Sequence, residues 1–537
     1  MENIADTIPS TLTAPFLYPS PSDAALKLAF VGKDVNSVQA PAAIVDSAVV
    51  KRNCRLMLEA AHELGIDFRA HVKAHKTTQI TKLSVGQDSK SVKLVASTIS
   101  EIENLLPWLL ECKAEGKEIS VLYGVPFSHS SIPRLAAVSQ TLGPGTIGLF
   151  VDHPVHIKFL DQIDEQIWPS RIPVFVIIDV GHHREGVTAH SKQLADIAYA
   201  LSSSNRTYLA GLYTHMGQAK GVNSPDEALK CMSTELEGLQ EGAIEFLKCA
   251  GAQESNDPMV AKKIVLSLGA TPTVTAVQNL FDSIEGAQRY RAMIDQINQS
   301  FAVELHAGVY MLLDMEQLAT RARPSVSPTD PTKSLLSFSD IGLRILVEVV
   351  SLYPDRSERP EALIAAGSIV LGREPCKSYP GWGVVSPWPA TQGPHYDTER
   401  SRAGWIVGRV SQEHGILTWE GSKDKIRELE VECSNDNNMN QLPTAARLPL
   451  LDEENKRTER PHALSSRTCE VEWIAYIAST TEAYPPTQPV EDLANVMKGT
   501  KFKITPPRGA LNGSGIFVSR ARQNKVETSL PPLYPVK

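Results

Sequence analysis

The stretch RAHVKAHKT at residues 69–77 sets Arg69, His71, Lys73, His75 and Lys76 among small apolar residues. It closes a β-rich run, Phe68–Ala74, which the pattern assigns to the second strand of an α/β barrel. Period-two alternation sends Arg69, His71 and Lys73 to one side of that strand and Val72 to the other. Basic groups facing one barrel interior repel each other unless an anion lies among them. In an α/β barrel the C-terminal strand ends form the functional face, so a phosphorylated cofactor there would resolve the conflict. A solvated basic turn is the bland alternative.

Outward from this run, β-rich segments alternate with helical ones from about residue 41 to 310. Further strands are expected at Ala42–Asp46, Val92–Ser97, Ile119–Val125, Ile147–Asp152, Val174–Val180, Leu209–His215, Ile264–Leu268 and Val303–Ala307. Between them lie helical patterns such as Ser100–Glu115, where Ile102, Leu105, Leu106, Leu109 and Leu110 fall at helical spacing behind a Ser100 cap and Glu103. About eight or nine βα units over roughly 270 residues suit a TIM-like (β/α)8 barrel, since parallel strands need crossover helices. A doubly wound open sheet is the competing fold, but no GxGxxG follows the first strand.

Beyond Phe338 the runs Leu343–Ser351, Ala362–Ala366, Trp405–Val410 and Ile416–Trp419 are short and separated by turns, predicting a second, mostly β domain. The expected organisation is an N-terminal segment at 1–40 that can pack on the β domain, a barrel at 41–337, the β domain at 338–434 and a low-order C-terminal tail at 435–537. The tail opens on Asn435-Asp-Asn-Asn438 and continues through charged and Pro-rich stretches.

Composition narrows the function classes. A 42% hydrophobic and 21% charged chain is ordinary for a globular protein, and a net charge of −8 argues against a nucleic-acid or anionic-membrane surface. No run approaches a membrane span and the N-terminus carries no secretory pattern. Seven cysteines without CxxC spacing predict reduced thiols and a cytoplasmic protein.

The run at 69–77 resembles the R-P-H-V-K-T-H-K-T signature of fold-type III pyridoxal 5′-phosphate (PLP) enzymes, the D-serine dehydratase and D-threonine aldolase branch with an alanine racemase-like N-terminal barrel; Ala70 stands in place of the Pro. The resemblance implies that Lys73 carries the cofactor as a Schiff base. It continues in order along the chain. DVGHHREGV at 179–187 implies Arg184 at the cofactor ring oxygen, and GLYTHMG at 211–217 implies Tyr213 against the cofactor and His215 lining the pocket. Where the family follows with H-S-Y, this chain has Gln218-Ala219-Lys220. SLGATPT at 267–273 is a strand–Gly–Thr–Pro turn, a plain βα connection or a phosphate cradle; the resemblance favours the cradle, with Gly269 and Thr271 as its members. ELHAGVY at 304–310, followed by Asp314, implies that Gly308 and Val309 offer amides to the same phosphate. PGWG at 380–383 and SQEHGIL at 411–417 resemble the family's β domain.

The match breaks at the metal. The family holds zinc with P-N-H-x-C or P-N-H-x-D shortly after S-x-E-H-G, whereas here DKIRELEVEC at 424–433 contains no His. The one His beyond His414 is His462, and neither Cys433 nor Cys469 forms His-x-Cys with it. Zinc is expected from the resemblance, yet no ligands are recognisable. The implied function is a D-amino acid lyase, converting D-serine to pyruvate and ammonia. The alternatives are a D-threonine aldolase-like C–C lyase and a PLP-binding relative whose catalysis is impaired without the metal. A cofactor carrier built of a barrel alone and a barrel-based interaction protein are the readings outside the enzyme class. The implied partners are a small D-amino acid and a second copy of the chain in a homodimer.

Overall fold

In the computed structural model the described residues are 22–450, apart from 36–37, 252–262, 282–286, 357, 373–374, 376–377, 387–395, 397–401, 428 and 430–446. The first strand, β1 (Ala42–Val45), is followed by eight parallel strands that close into a barrel in chain order: β2 (Asp67–His71), β3 (Ser91–Ala96), β4 (Glu118–Pro126), β5 (Ile147–Val151), β6 (Ile172–Ile177), β7 (Thr207–Tyr213), β8 (Val265–Leu268) and β9 (Ala302–Ala307). β9 returns to pair with β2, Asp67 opposite Glu304 and Ala70 opposite Ala307.

Strands such as β5 (IGLFV) and β6 (IPVFVI) are apolar throughout because both faces are covered. One face fills the barrel, where Val95, Leu122, Phe150, Phe175, Ile177 and Tyr213 pack together. The other, through Leu94, Val121, Leu149, Val174 and Leu212, packs in the main core beneath the helices.

Two expectations are corrected here. β1 does not enter the barrel; it pairs antiparallel with β10 (Leu343–Tyr353), Ala42 opposite Leu346, so the run containing Lys73 follows the first barrel strand rather than the second. The reason is packing: Ile44 joins Val35 and Leu346 in a separate small core flanked by Val38, Ala40 and Ala42. The helix expected at Ser100–Glu115 runs Ile99–Ala114 and is capped by Thr98, not Ser100. Thr98 Oγ1 accepts from the Glu101 amide at 3.2 Å and Glu101 accepts from the Ser97 amide at 2.7 Å, whereas Glu103 is engaged by Arg134 at 2.9 Å.

The second sheet adds β11 (Glu361–Ile364), β12 (Gly404–Val410), β13 (Gly415–Glu420) and β14 (Arg447–Leu450). It is antiparallel, in the order β1-β10-β11-β13-β12, with β14 alongside β10. Its core is Val347, Val349, Ile364, Trp405, Val407, Leu417 and Trp419. β14 gives the expected low-order tail at least one paired segment; the rest of that tail lies outside the described residues. Arg52 pairs with Asp340 at 2.6 Å, and the Asn53 amide donates to the Met311 and Asp340 carbonyls, joining a barrel helix to the entry of β10. No helix among the described residues is long and apolar enough to cross a membrane.

Candidate active site

β2 ends at His71, and Val72–Ala74 turns into a short 3-10 helix, so Lys73 stands just past the strand instead of alternating with Arg69 and His71. His71 makes that turn: its Nδ1 accepts from the Lys73 amide at 3.3 Å, and Lys76 closes the segment in a left-handed conformation at φ 53°. Arg69 does face the barrel interior, but its charge is already matched. Its guanidinium holds Glu304 through two bonds of 2.6 and 3.1 Å and also donates to the Leu94 and Ser120 carbonyls. The pair is fully buried, with Lys93 3.2 Å from the same carboxylate, and pulls the Glu304 carboxyl down to about 2. The expected trio of free bases therefore reduces to Lys73.

Lys73 makes no ion pair among the described residues. Solvent reaches it, yet protein atoms surround it, as for a side chain standing in an open mouth. That partial burial, followed by the charges of Arg184 and Lys220, holds its amine below the usual lysine range, against weaker opposition from Glu185 and Glu101. The nearby imidazoles are neutral. Burial takes His71 and His306 well below the ordinary histidine value and His215 down to about 3. His215 Nδ1 lies 2.8 Å from the Gly269 carbonyl, which only accepts, so Nδ1 carries the proton and Nε2 keeps its lone pair. His71 is the opposite tautomer, because its Nδ1 accepts an amide proton.

The two predicted turns adjoin each other. Val309 N donates to Thr271 Oγ1 at 3.3 Å, latching the turn after β9 to the turn after β8. Gly269 sits at φ 151°, where a Cβ would stand 2.1 Å from the His306 carbonyl, so a side chain is excluded. Gly308 lies against His71, 3.2 Å from its Cβ to an added methyl. Thr271 opens the helix Thr271–Val277, but the side chain bonding to the start of that helix is Thr273, whose Oγ1 accepts from the Ala270 amide at 3.0 Å. Arg184, on the loop after β6, is about half exposed and ion-paired with Glu185. Asp179 instead takes His183 at 2.7 Å together with the amides of 181–183. Tyr213 is buried in the barrel, one face stacked on His306 with centroids 4.1 Å apart. Asp314 caps the helix Met315–Ala319 through the Gln317 amide.

Arg184, His215, the Gly269–Thr271 turn, the Gly308–Val309 turn and Lys73 thus follow β6, β7, β8, β9 and β2, neighbours round the closed barrel. A groove lined by Ile178, Val180, His190, Gly238, Glu241 and Ile244 runs along the helix Pro225–Ala250 and shares none of these side chains. Three further residues bear on the site. Lys220 pairs with Glu316 at 2.7 Å. His306 keeps a buried Nε2 with no partner. Glu235 holds both the Met216 amide and the Thr273 hydroxyl. Glu235 sits on the stripe Ala228, Met232, Glu235, Leu239, so its helical spacing was the signal; among the many acids of that helix its polarity masked it.

Among the described residues no group of three or more His, Cys, Asp or Glu could hold a metal ion. Cys433, His462 and Cys469 lie outside the described residues. The side chains fit a phosphorylated aldehyde such as PLP: an amine with depressed basicity and no salt-bridge partner, amide-bearing turns beside it, and an unpartnered buried imidazole nitrogen.

Residues 45–262 match the family model "Alanine racemase, N-terminal domain", and residues 342–432 match "Putative serine dehydratase domain". The D-serine dehydratase of Schizosaccharomyces pombe is 31% identical over 396 residues, 73% of this chain and 83% of the relative. The chain belongs to the D-serine dehydratase family. The D-serine dehydratase of Saccharomyces cerevisiae is 26% identical across 72% of this chain and 86% of the relative. A solved structure of D-threo-3-hydroxyaspartate dehydratase from Delftia sp. HT23 superposes with a TM-score of 0.55 at 21% identity, covering 78% of this chain and 91% of that one; it shares the fold. The barrel with its antiparallel companion sheet is therefore the family architecture, as the sequence predicts.

Proposed function

We propose that this member of the family is a PLP-dependent lyase acting on D-serine, with Lys73 as the cofactor lysine and the base. The observation that carries the reading is Lys73 itself: an amine without a salt bridge, kept below its usual basicity, beside the latched turns at Thr271 and Val309. Bound PLP supplies an electron sink for the electron pair left at Cα. Lys73, as a free amine, takes the Cα proton, and its depressed basicity makes the free amine easier to reach. The turns at Gly269–Thr271 and Gly308–Val309 would hold the phosphate through their amides and the Thr271 hydroxyl, which without the ligand accepts from the Val309 amide at 3.3 Å; Arg184 would supply positive charge on the ring-oxygen side, and His215 would line the pocket with its Nε2. Tyr213 acts from below, through the stacked His306. Loss of the β-hydroxyl and hydrolysis then give pyruvate and ammonia.

We extend the reading to a cytoplasmic homodimer, on the family resemblance and the free thiols of Cys54, Cys112, Cys231 and Cys249 among the described residues. The test is the visible absorbance of the purified protein, with pyruvate release from D-serine compared with aldehyde release from D-threonine, each with and without added zinc. Pyruvate from D-serine supports the proposal. Aldehyde alone makes the chain a C–C lyase, stimulation by zinc places ligands in the undescribed residues, and a colourless inert protein overturns the cofactor assignment.

A further inference from the structure

Glu235 is completely buried and lies outside every motif of the site, yet both of its oxygens are committed to site loops. Oε1 accepts from the Met216 amide at 2.9 Å, next to His215, and Oε2 meets Thr273 Oγ1 at 2.8 Å, in the turn that contains Gly269 and Thr271. The helix Pro225–Ala250 thereby clamps the loop after β7 to the turn after β8. Among the described residues no cation is bonded to the carboxyl.

We propose that Glu235 is a positioning residue whose protonated form holds the turn at 269–273 ready for an anion, so that anion binding and ionisation of Glu235 oppose each other. This rests on the reading that the turn binds the cofactor phosphate. The geometry accommodates both protonation states through Thr273. Its Oγ1 lies 3.0 Å from the Ala270 amide and 3.0 Å from the Ala270 carbonyl. With Glu235 protonated, its O–H donates to Thr273 and the Thr273 hydrogen turns to the Ala270 carbonyl. With Glu235 ionised, Thr273 must donate to the carboxylate and the Ala270 carbonyl keeps only the Val274 amide at 3.0 Å. The ionised form also sets a negative charge directly behind amides that face the phosphate, in a region shielded from water. Burial agrees with the proposal, since it pushes the Glu235 carboxyl up to about 8. By linkage, an anion that prefers the protonated form loses affinity about tenfold for each pH unit above that value.

Other titratable groups are near. Tyr213 feels the charge of Glu235 from β7, and Cys231 lies one helical turn away; the turn after β8 contributes a hydroxyl and amides but no titratable group. Lys73 and Arg184 stand across the mouth. Their contributions cancel when wild type is compared with Glu235→Gln, which keeps an acceptor for Met216 and a donor for Thr273 at every pH. The probe is pyridoxine 5′-phosphate, which has no aldehyde and therefore bypasses Schiff-base chemistry at Lys73. The measurement is its dissociation constant for cofactor-free protein from pH 7 to 9, by calorimetry. Wild type is expected to weaken roughly tenfold more than Glu235→Gln over that range. Equal slopes overturn the proposal while leaving the phosphate site standing. Binding by neither protein at any pH overturns the phosphate reading as well. Thr273→Val provides a second variant that leaves Glu235 in place: by removing a donor to the carboxylate it should move the break to higher pH, and an unmoved break counts against the mechanism.

Discussion

The interior of the barrel and its mouth handle positive charge in opposite ways, though Arg69 and Lys73 are separated by a single strand end. Arg69 is saturated: two bonds to Glu304, carbonyls from β3 and β4, and Phe175 beneath the guanidinium at 5.7 Å. Lys93 is bound just as closely, 2.6 Å from Asp67 and 3.2 Å from Glu304. At the mouth Lys73 has no salt bridge among the described residues, the imidazoles are neutral, and His306 Nε2 is left unpartnered. Charges that serve the fold are neutralised in place. At the mouth Arg184 and Lys220 have carboxylate partners in Glu185 and Glu316, which leaves Lys73 as the cation in excess, and a cation in excess beside amide-bearing turns is what an anionic ligand requires.

The contrast breaks most sharply at Glu304. Glu304→Gln leaves Arg69 buried without its counter-charge and should lower unfolding free energy by about 3–5 kcal/mol, read by urea denaturation. Because the folded Glu304 carboxyl lies at about 2, below its unfolded value, the stability from this pair is present above about pH 4.5 and lost as pH falls toward 2. The variant should lack that acid limb. Glu235 has the reverse sign. Its folded value of about 8 lies above the unfolded one, so wild-type stability declines as pH rises from about 4.5 through 8, and Glu235→Gln should be the more stable protein by a few kcal/mol above pH 8. Lys73→Ala separates function from stability: cofactor-free protein should change by no more than about 0.5 kcal/mol, because no ion pair is lost, while cofactor absorbance disappears. A large stability loss on that substitution would remove the distinction between interior and mouth.

These residues also mark how far the sequence could be read. The barrel was legible because its strands are buried on both faces and repeat between amphipathic helices; β5 and β6 are continuous apolar runs that could be little else. β1 was assigned to the wrong sheet because a four-residue apolar strand is equally suited to a barrel or to an edge beside β10, and only the antiparallel register with Leu343–Leu346 decides. Lys73 was found, but alternation was carried two residues too far, since a histidine accepting a backbone amide can turn the chain out of the strand. The alternation sets Arg69 beside His71 and Lys73 as an unmatched interior charge because sequence shows that charges coexist and not which acid reaches them; Glu304 is 235 residues away. Glu235 was overlooked for the same reason: its partners, Met216 and Thr273, lie in separate loops.

Lys220 provides the finest test. It stands where the family motif has a tyrosine, and its ion pair with Glu316 at 2.7 Å is substantially exposed. An exposed pair contributes about 0–1 kcal/mol, so Lys220→Ala should leave thermal stability nearly unchanged. Its charge nevertheless acts on Lys73, lowering the affinity of that amine for a proton, behind burial and Arg184 in weight. Removing Lys220 should therefore raise the Lys73 value and move to higher pH the range in which cofactor-free protein takes up PLP, followed by the growth of visible absorbance against pH. The direction is the informative part. A shift to lower pH, or none, would mean that Lys220 does not depress the amine because solvent at the rim screens it. Either result would confine the charge that acts on the mouth to Lys73 and the paired Arg184, whereas the alkaline shift extends it to a residue that separates this chain from the family pattern.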